Sequence, residues 1–166
     1  MRARAAIAAL DLPRAVAAGV NLIAQLRMPE RVVRPFENHA NVVGVVGFCW
    51  GGAVVNRLAV AAGQALRAGV SFYGPAPDPA EAARVQAAML ILLAGLDERV
   101  NATALPWVEA LRVAGRTVES TTYPGVNHAF HNDTSAQRYN TEAAGAAWAA
   151  TLAFFGRHLR DPGQPQ

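Results

Sequence analysis

Apolar blocks alternate with amphipathic and polar blocks along the chain, and this pattern predicts strands and helices in turn. Runs rich in β-branched and other apolar side chains predict four strands, over residues 42–46, 68–73, 89–95 and 117–123. Apolar positions at helical spacing predict helices over residues 13–27, 51–63, 80–86, 104–114 and 141–159.

Two of these elements have patterns that predict how they are buried. Residues Val42 to Val46 form an uninterrupted apolar run, which is typical of a strand covered on both faces. The last helix has apolar side chains at helical spacing and is expected to bury five of them: Ala144, Ala147, Trp148, Leu152 and Phe155.

Strands that alternate with helices are typical of an α/β fold, in which helices flank a mainly parallel sheet. At 166 residues the chain has the length of one domain. We therefore expect a single domain over residues 1–166. Residues 1–41 would form a leading helix and a connection, residues 42–160 the core that carries the chemistry, and residues 161–166 a frayed tail.

The first predicted strand runs directly into Gly47-Phe48-Cys49-Trp50-Gly51 and then into an apolar helix. A side chain at the tip of such a turn is held in a strained conformation, and Gly47 and Gly51 remove side chains that would collide there. The helix N-terminus beside Cys49 favours a thiolate. The backbone N–H of Trp50 is an expected oxyanion donor. The pattern predicts a nucleophile elbow with cysteine as the nucleophile.

Two more candidate catalytic residues follow later strands. Asp97 comes just after the third predicted strand and His128 just after the fourth. Ligands of such sheets lie beyond the carboxyl ends of the strands, so Cys49, Asp97 and His128 can converge on one edge. The chain order nucleophile, acid, histidine is that of α/β-hydrolases. His128 would take the thiol proton, and Asp97 would orient the imidazole ring.

Other residues compete for these roles or are set aside. Glu98 is the alternative acid and His131 the alternative base, because each lies within three residues of the preferred one. His39 precedes the elbow strand, and His158 lies in the last turn of the final helix, where a cation suits the helix dipole. Both are therefore expected to be structural.

The sequence gives no reason to expect a cofactor or a metal. The Gly44-x-x-Gly47 spacing lacks the glycine pattern of a dinucleotide-binding loop. No pair of His, Cys or acidic residues has a spacing typical of a metal site.

Composition narrows the class of partner and the compartment. The net charge of +3 comes from scattered arginines, since the chain has no lysine, and no basic run suggests nucleic-acid binding. One cysteine cannot form an internal disulfide. The apolar run over residues 5–10 is too short for a signal peptide, and no run approaches membrane-spanning length. We expect a cytoplasmic protein with a small-molecule substrate and no nucleic-acid or membrane partner.

Three motifs resemble those of the dienelactone hydrolase (carboxymethylenebutenolidase) family, and the similarity runs from about residue 15 to 160. They are Gly47-Phe48-Cys49-Trp50-Gly51-Gly52, Gly95-Leu96-Asp97 and Tyr123-Pro124-Gly125-Val126-Asn127-His128-Ala129-Phe130. The resemblance implies an α/β-hydrolase fold, a triad of Cys49, Asp97 and His128, and no cofactor. The implied reaction is hydrolysis of an enol-lactone or similar activated ester through a thioester acyl-enzyme.

The resemblance also implies a substrate pocket. Tyr73 matches a position that lines the pocket in the family, and Phe130, in the histidine motif, is expected to bind substrate with it. Asn132 stands where the best-studied members have an arginine that binds the substrate carboxylate, so dienelactone itself is not the expected substrate.

The front of the family's fold has no counterpart in this sequence. Family members have strands before the elbow strand, a loop that gives a second oxyanion N–H, and an N-terminal glutamate and arginine. We therefore expect an N-terminally truncated fold of about four strands, with an apolar edge over residues 43–47. A truncated product, a misassigned start, or a second subunit that covers the edge, as in a homodimer, would each account for this.

Two functions from different classes stay open. The first is a cysteine-dependent ester or lactone hydrolase. The second is a non-catalytic remnant that serves as a binding or assembly module. A glutamine amidotransferase also uses a cysteine elbow, but it has glutamate two residues after the histidine, where this chain has Phe130.

Overall fold

The computed structural model describes residues 11–28 and 42–160. Residues 29–41 of the predicted connection, His39 among them, lie outside the described residues, as does the predicted frayed tail, 161–166.

The described chain contains one parallel sheet of four strands in the order β1-β2-β3-β4. The strands are β1 (Gly44–Phe48), β2 (Ala68–Phe72), β3 (Ala88–Ala94) and β4 (Val118–Tyr123). Every strand therefore ends at the same edge of the sheet. The predicted α/β fold with about four parallel strands is confirmed.

Within residues 11–28 and 42–160, four α-helices flank the sheet: α1 (Leu12–Leu26), α2 (Trp50–Ala61), α3 (Glu98–Val113) and α4 (Thr141–His158). The first three pack on one face, where Ile23, Val55 and Trp107 share a core with the side chains of β3. Helix α4 covers the other face, where Phe154 packs with Val70 and Leu92. Short 3-10 helices span Gly63–Ala65 and Pro79–Arg84, so the helix predicted over 80–86 is a 3-10 helix.

Strand β1 forms an edge of the described sheet, and this corrects one prediction. Its residues are not covered on both faces, since Val46 and Phe48 are each 37% exposed. Val43 O accepts from Arg67 N–H, and Cys49 N–H donates to Phe72 O. Alternate residues of a parallel strand bond to the same neighbour, so the backbone groups of Val46 and Phe48 face away from β2.

Helix α3 begins six residues before its predicted start. Its N-cap is Asp97, whose carboxylate accepts from Val100 N–H, and it contains Pro106 in its interior. A proline inside a helix is unfavourable. Burial of Val100 and Trp107 in the core holds the helix together across it.

Helix α4 presents a different face to the core than predicted. Ala144 and Ala147 are buried as expected, but Trp148 is 41% exposed and Leu152 56% exposed. The buried positions are Ala143, Ala144, Ala147, Thr151 and Phe154, and Phe155 is half-buried. Because alanine is frequent along this helix, two adjacent faces have nearly the same pattern of apolar residues.

No helix in the described ranges is both long enough and apolar enough to cross a membrane.

Candidate active site

Cys49 lies at the turn between β1 and α2 with φ 56° and ψ −117°, a backbone conformation that side-chain-bearing residues rarely adopt. The turn closes tightly on Gly47, where a Cβ would lie 2.2 Å from Gly51 O. A Cβ at Gly51 would meet nothing within 4 Å, so the prediction that Gly51 relieves a collision is wrong. Gly52 has the second tight position, since a Cβ there would lie 2.8 Å from Phe72 O.

The three residues predicted to converge are brought together. His128 Nε2 lies 3.0 Å from Cys49 Sγ, and His128 Nδ1 lies 2.5 Å from Asp97 Oδ2. Each residue follows a different strand, β1, β3 or β4, at the carboxyl edge of the sheet. A thiol, an imidazole and a carboxylate thus form one hydrogen-bonded row, the arrangement that activates a nucleophile.

The contacts within this row favour a negative charge on Cys49 and a positive charge on His128. The pKa of the Cys49 thiol lies below its ordinary value, mainly because His128 hydrogen bonds to Sγ, and burial opposes this. The positive charge of His128, the Trp50 N–H and the nearby Arg99 lower it further. The pKa of His128 lies above its ordinary value, first because of its bond to Cys49 and also because of Asp97, and burial again opposes the shift. The geometry therefore favours a thiolate–imidazolium pair.

Asp97 is 8% exposed and is held by more than His128. Its Oδ1 accepts from Val100 N–H at the start of α3, which leaves Oδ2 for the imidazole. Asn101, one turn into α3, donates from Nδ2 to Ala94 O and ties the helix to the end of β3. The acid is thus fixed by a helix cap and by the strand it follows.

Tyr73 lies against the imidazole and Phe130 lies behind Tyr73. The Tyr73 ring makes an edge contact with His128 at 5.0 Å between centroids and another with Phe130 at 5.4 Å. Tyr73 is 3% exposed, and Phe130 has no exposed surface. Both side chains are buried in this structure, and their expected role in substrate binding stays a prediction. Burial, and then the charge of Cys49, raise the pKa of Tyr73.

Two buried polar side chains, which sequence reasoning missed, lock the elbow helix to the end of β2. Ser71 Oγ donates to Gly52 O at 3.1 Å, and Asn56 Nδ2 donates to the carbonyls of Gly74 and Pro75. Both side chains are fully buried. A single amide in a mainly apolar helix, whose other polar residue is Arg57, was the available sign for Asn56.

Backbone strain is concentrated around this row. Among the described residues other than glycine, three have positive φ: Cys49, Tyr73 and Ala129. One is the predicted nucleophile, one touches the imidazole, and one follows His128 directly. Strain of this kind clusters at functional sites, where the surrounding structure holds it.

The competing residues lie elsewhere. Glu98 is exposed in the first turn of α3, while Asp97 faces the imidazole. The ring of His131 packs against Phe48 and Phe72 instead of entering the row. His158 lies against Phe154, with Glu119 at 4.0 Å. In the described part of the chain, no group of three or more His, Cys, Asp or Glu side chains could hold a metal ion.

Comparison with known proteins decides the family. The profile of the dienelactone hydrolase family matches residues 13–159. The chain belongs to the dienelactone hydrolase family. A relative from Saccharolobus solfataricus, provisionally named a carboxymethylenebutenolidase, is 35% identical over 113 residues, which are 68% of this chain and 43% of the relative.

Solved structures agree on the fold. A provisionally named dienelactone hydrolase from Klebsiella pneumoniae is 31% identical with a TM-score of 0.63, and the match covers 69% of this chain and 52% of that one. A dienelactone hydrolase from Anabaena variabilis has a TM-score of 0.67 at 21% identity, over 90% of this chain and 62% of that one. This chain therefore spans about half the length of the family members it matches.

Proposed function

We propose that this chain is a cysteine-dependent hydrolase of an enol-lactone or similarly activated carboxylic ester. The observation that carries the proposal is the unbroken row from Asp97 Oδ2 through His128 to Cys49 Sγ, with contacts of 2.5 Å and 3.0 Å. Membership of the dienelactone hydrolase family supports the same general chemistry.

In the first half-reaction, the Cys49 thiolate attacks the ester carbonyl carbon and a C–S bond forms. The carbonyl oxygen becomes an oxyanion, and the backbone N–H of Trp50 donates to it in this proposal. As the C–O bond to the leaving group breaks, His128 Nε2–H gives its proton to the departing oxygen. Asp97 stabilises the imidazolium until that transfer. The product of this step is a thioester at Cys49.

In the second half-reaction, neutral His128 takes a proton from water, and the resulting hydroxide attacks the thioester carbonyl. The C–S bond breaks, the carboxylic acid leaves, and Cys49 and His128 return to the charge-separated pair. No step requires a redox partner or a cofactor.

The exposed edge of β1 supports a further proposal about assembly. Val46 leaves apolar surface on this strand, and the backbone groups of Val46 and Phe48 face outward. Unpaired apolar edges favour association with another strand. We propose that a second copy of the chain covers this edge.

The test of the catalytic proposal is hydrolysis of p-nitrophenyl acetate by the folded chain beside Cys49→Ala and Cys49→Ser. We expect turnover by the native chain and background rates from Cys49→Ala. Cys49→Ser keeps a hydroxyl at the same place, but its higher pKa should leave it at least about a hundredfold slower.

Circular dichroism shows whether all three samples are folded. Equal background rates from three folded samples would contradict the proposal and favour the alternative, a hydrolase remnant that serves as a binding or assembly module.

A further inference from the structure

A cavity of about 450 Å³ opens between the end of β1 and the first half of α4. Four aromatic rings and one carboxylate dominate its lining: Phe48, His131, Tyr139, Trp148 and Asp133. Thr141, Ala144 and Gly145 complete it. None of these residues belongs to the triad.

The cavity is connected to the nucleophile by the chain itself and by ring contacts. Phe48 directly precedes Cys49, and His131 follows His128 by three residues. The Tyr73 ring lies 6.3 Å from Phe48 on one side and 5.0 Å from His128 on the other. Phe48 and His131 therefore join the lining of the cavity to the segments that carry Cys49 and His128.

The rings offer π-faces to a ligand. His131 lies 5.2 Å from Phe48 and 5.9 Å from Trp148 between ring centroids, so these three form one continuous wall. Phe48, Tyr139 and Trp148 are each between 37% and 41% exposed, which leaves part of each ring open. Ring faces carry partial negative charge and attract cations, and an indole attracts them most strongly.

The charges around the cavity also favour a cationic ligand. Asp133 lines it and makes no ion pair with any residue in the described ranges, while the lining contains no arginine, although arginine is the chain's only strongly basic residue type. The N-terminus of α4, which carries partial positive charge, is at Thr141. Trp148 lies about two turns further along, so a cation on the indole is displaced from that end.

We propose that this cavity is a subsite for an alkylammonium group, and that the ester substrates of this chain have a cationic leaving group. The cation stacks on Trp148 and Phe48, with Asp133 as its counter-ion, while the ester carbonyl reaches Cys49. The substrate part of this inference rests on the proposed hydrolase function. The binding part does not.

Binding is tested without catalysis, by titrating the ¹⁵N-labelled chain with choline and with its neutral isostere 3,3-dimethylbutan-1-ol. The readout is the indole N–H signal of Trp148, assigned by its loss in Trp148→Phe. We expect choline to bind about threefold or more tightly than the alcohol. Asp133→Asn should remove most of that preference, and the matched control Glu109→Gln, an exposed carboxylate on α3, should keep it.

Three results would overturn the subsite. Equal affinities for the alcohol and for choline would make the cavity a simple apolar cleft. A Trp148 signal that shifts with neither compound would show that neither binds in the cavity. The signal could instead change with protein concentration, which would identify the face as a contact between copies of the chain.

The substrate class is tested with acetylcholine against 3,3-dimethylbutyl acetate, with product formation followed by NMR. We expect kcat/KM to favour acetylcholine in the native chain. Trp148→Ala should lose that preference, whereas Leu152→Ala, an exposed neighbour outside the cavity, should retain it. Equal kcat/KM for the two esters would overturn the substrate class. If neither ester is hydrolysed while p-nitrophenyl acetate is, the substrate class fails and the hydrolase proposal stands. If p-nitrophenyl acetate is not hydrolysed either while choline still binds, the hydrolase proposal fails and the subsite stands.

Discussion

At the scale of single residues, the state of the Cys49 thiol depends on its neighbours. The pKa of Cys49 is lowered and the pKa of His128 is raised, so each shift favours the charged form of its group. The thiolate is lost as pH falls through the lowered pKa of Cys49. The imidazolium is lost as pH rises through the raised pKa of His128. Because each group shifts the pKa of the other, the two titrate as a coupled pair.

This charge pair can be measured by alkylation. We expect the rate of Cys49 modification by iodoacetamide to reach half its maximum at a lower pH than for an ordinary thiol, because only the thiolate reacts. His128→Asn removes the main cause of the lowered pKa, so its half-maximal pH should rise and its rate at pH 7 should fall severalfold. The chain has one cysteine, so the readout is specific. Identical profiles for the two proteins would contradict the charge pair.

Sequence predicts the triad at this scale because each member directly follows a strand, and strand order fixes which ends meet. The roles of the residues that surround these three were harder to predict. The burial of Phe130 behind Tyr73 depends on how the loop after β4 folds back, and no local pattern records that. Asn56 and Ser71 hold their partners across 18 to 19 residues of chain, so their roles depend on tertiary contacts.

At the scale of elements, two glycines of the elbow that look equivalent in sequence have different roles. We expect Gly47→Ala to destabilise the chain by about 2 kcal/mol or more, because its Cβ would press on the Gly51 carbonyl and the turn would have to shift. Gly51→Ala adds a Cβ in open space within α2, so it should be neutral or stabilising by up to about 1 kcal/mol.

Urea unfolding of the native chain and the two variants separates these outcomes. The native midpoint should lie well above that of Gly47→Ala and at or below that of Gly51→Ala. Equal midpoints for the two variants would show that the turn relaxes around the new methyl group without loss.

The boundaries of the elements show what sequence pattern can and cannot decide. Strands β2 and β3 lie within a residue of their predicted ends, since short, mainly apolar runs have few alternatives. The start of α3 was missed because Pro106 fits a first turn better than a helix interior. The N-cap at Asp97 was the stronger indication of where α3 begins. It was overlooked because Asp97 was interpreted as a candidate catalytic residue.

At the scale of the whole molecule, the proposal that a second copy covers the edge of the described sheet at β1 can be tested. We expect sedimentation velocity to show association that grows with concentration. Val46→Lys places a charge on the exposed edge and should shift the chain towards monomer. Val113→Lys adds the same charge at an exposed valine on α3, so it should leave association unchanged.

A native chain that stays monomeric at every concentration would contradict association through this edge. A Val113→Lys variant that dissociates as readily as Val46→Lys would show that net charge, not the edge, controls assembly.

The positive φ at Cys49 lowers the stability of the chain at the position that carries the proposed nucleophile. A residue with a side chain held at φ 56° costs of order 1–3 kcal/mol, a strain that glycine does not have. Replacement of Cys49 by glycine would therefore make the chain more robust and inert at once. A library selected only for heat resistance would converge on glycine at position 49, whereas one selected for turnover would keep the strained cysteine.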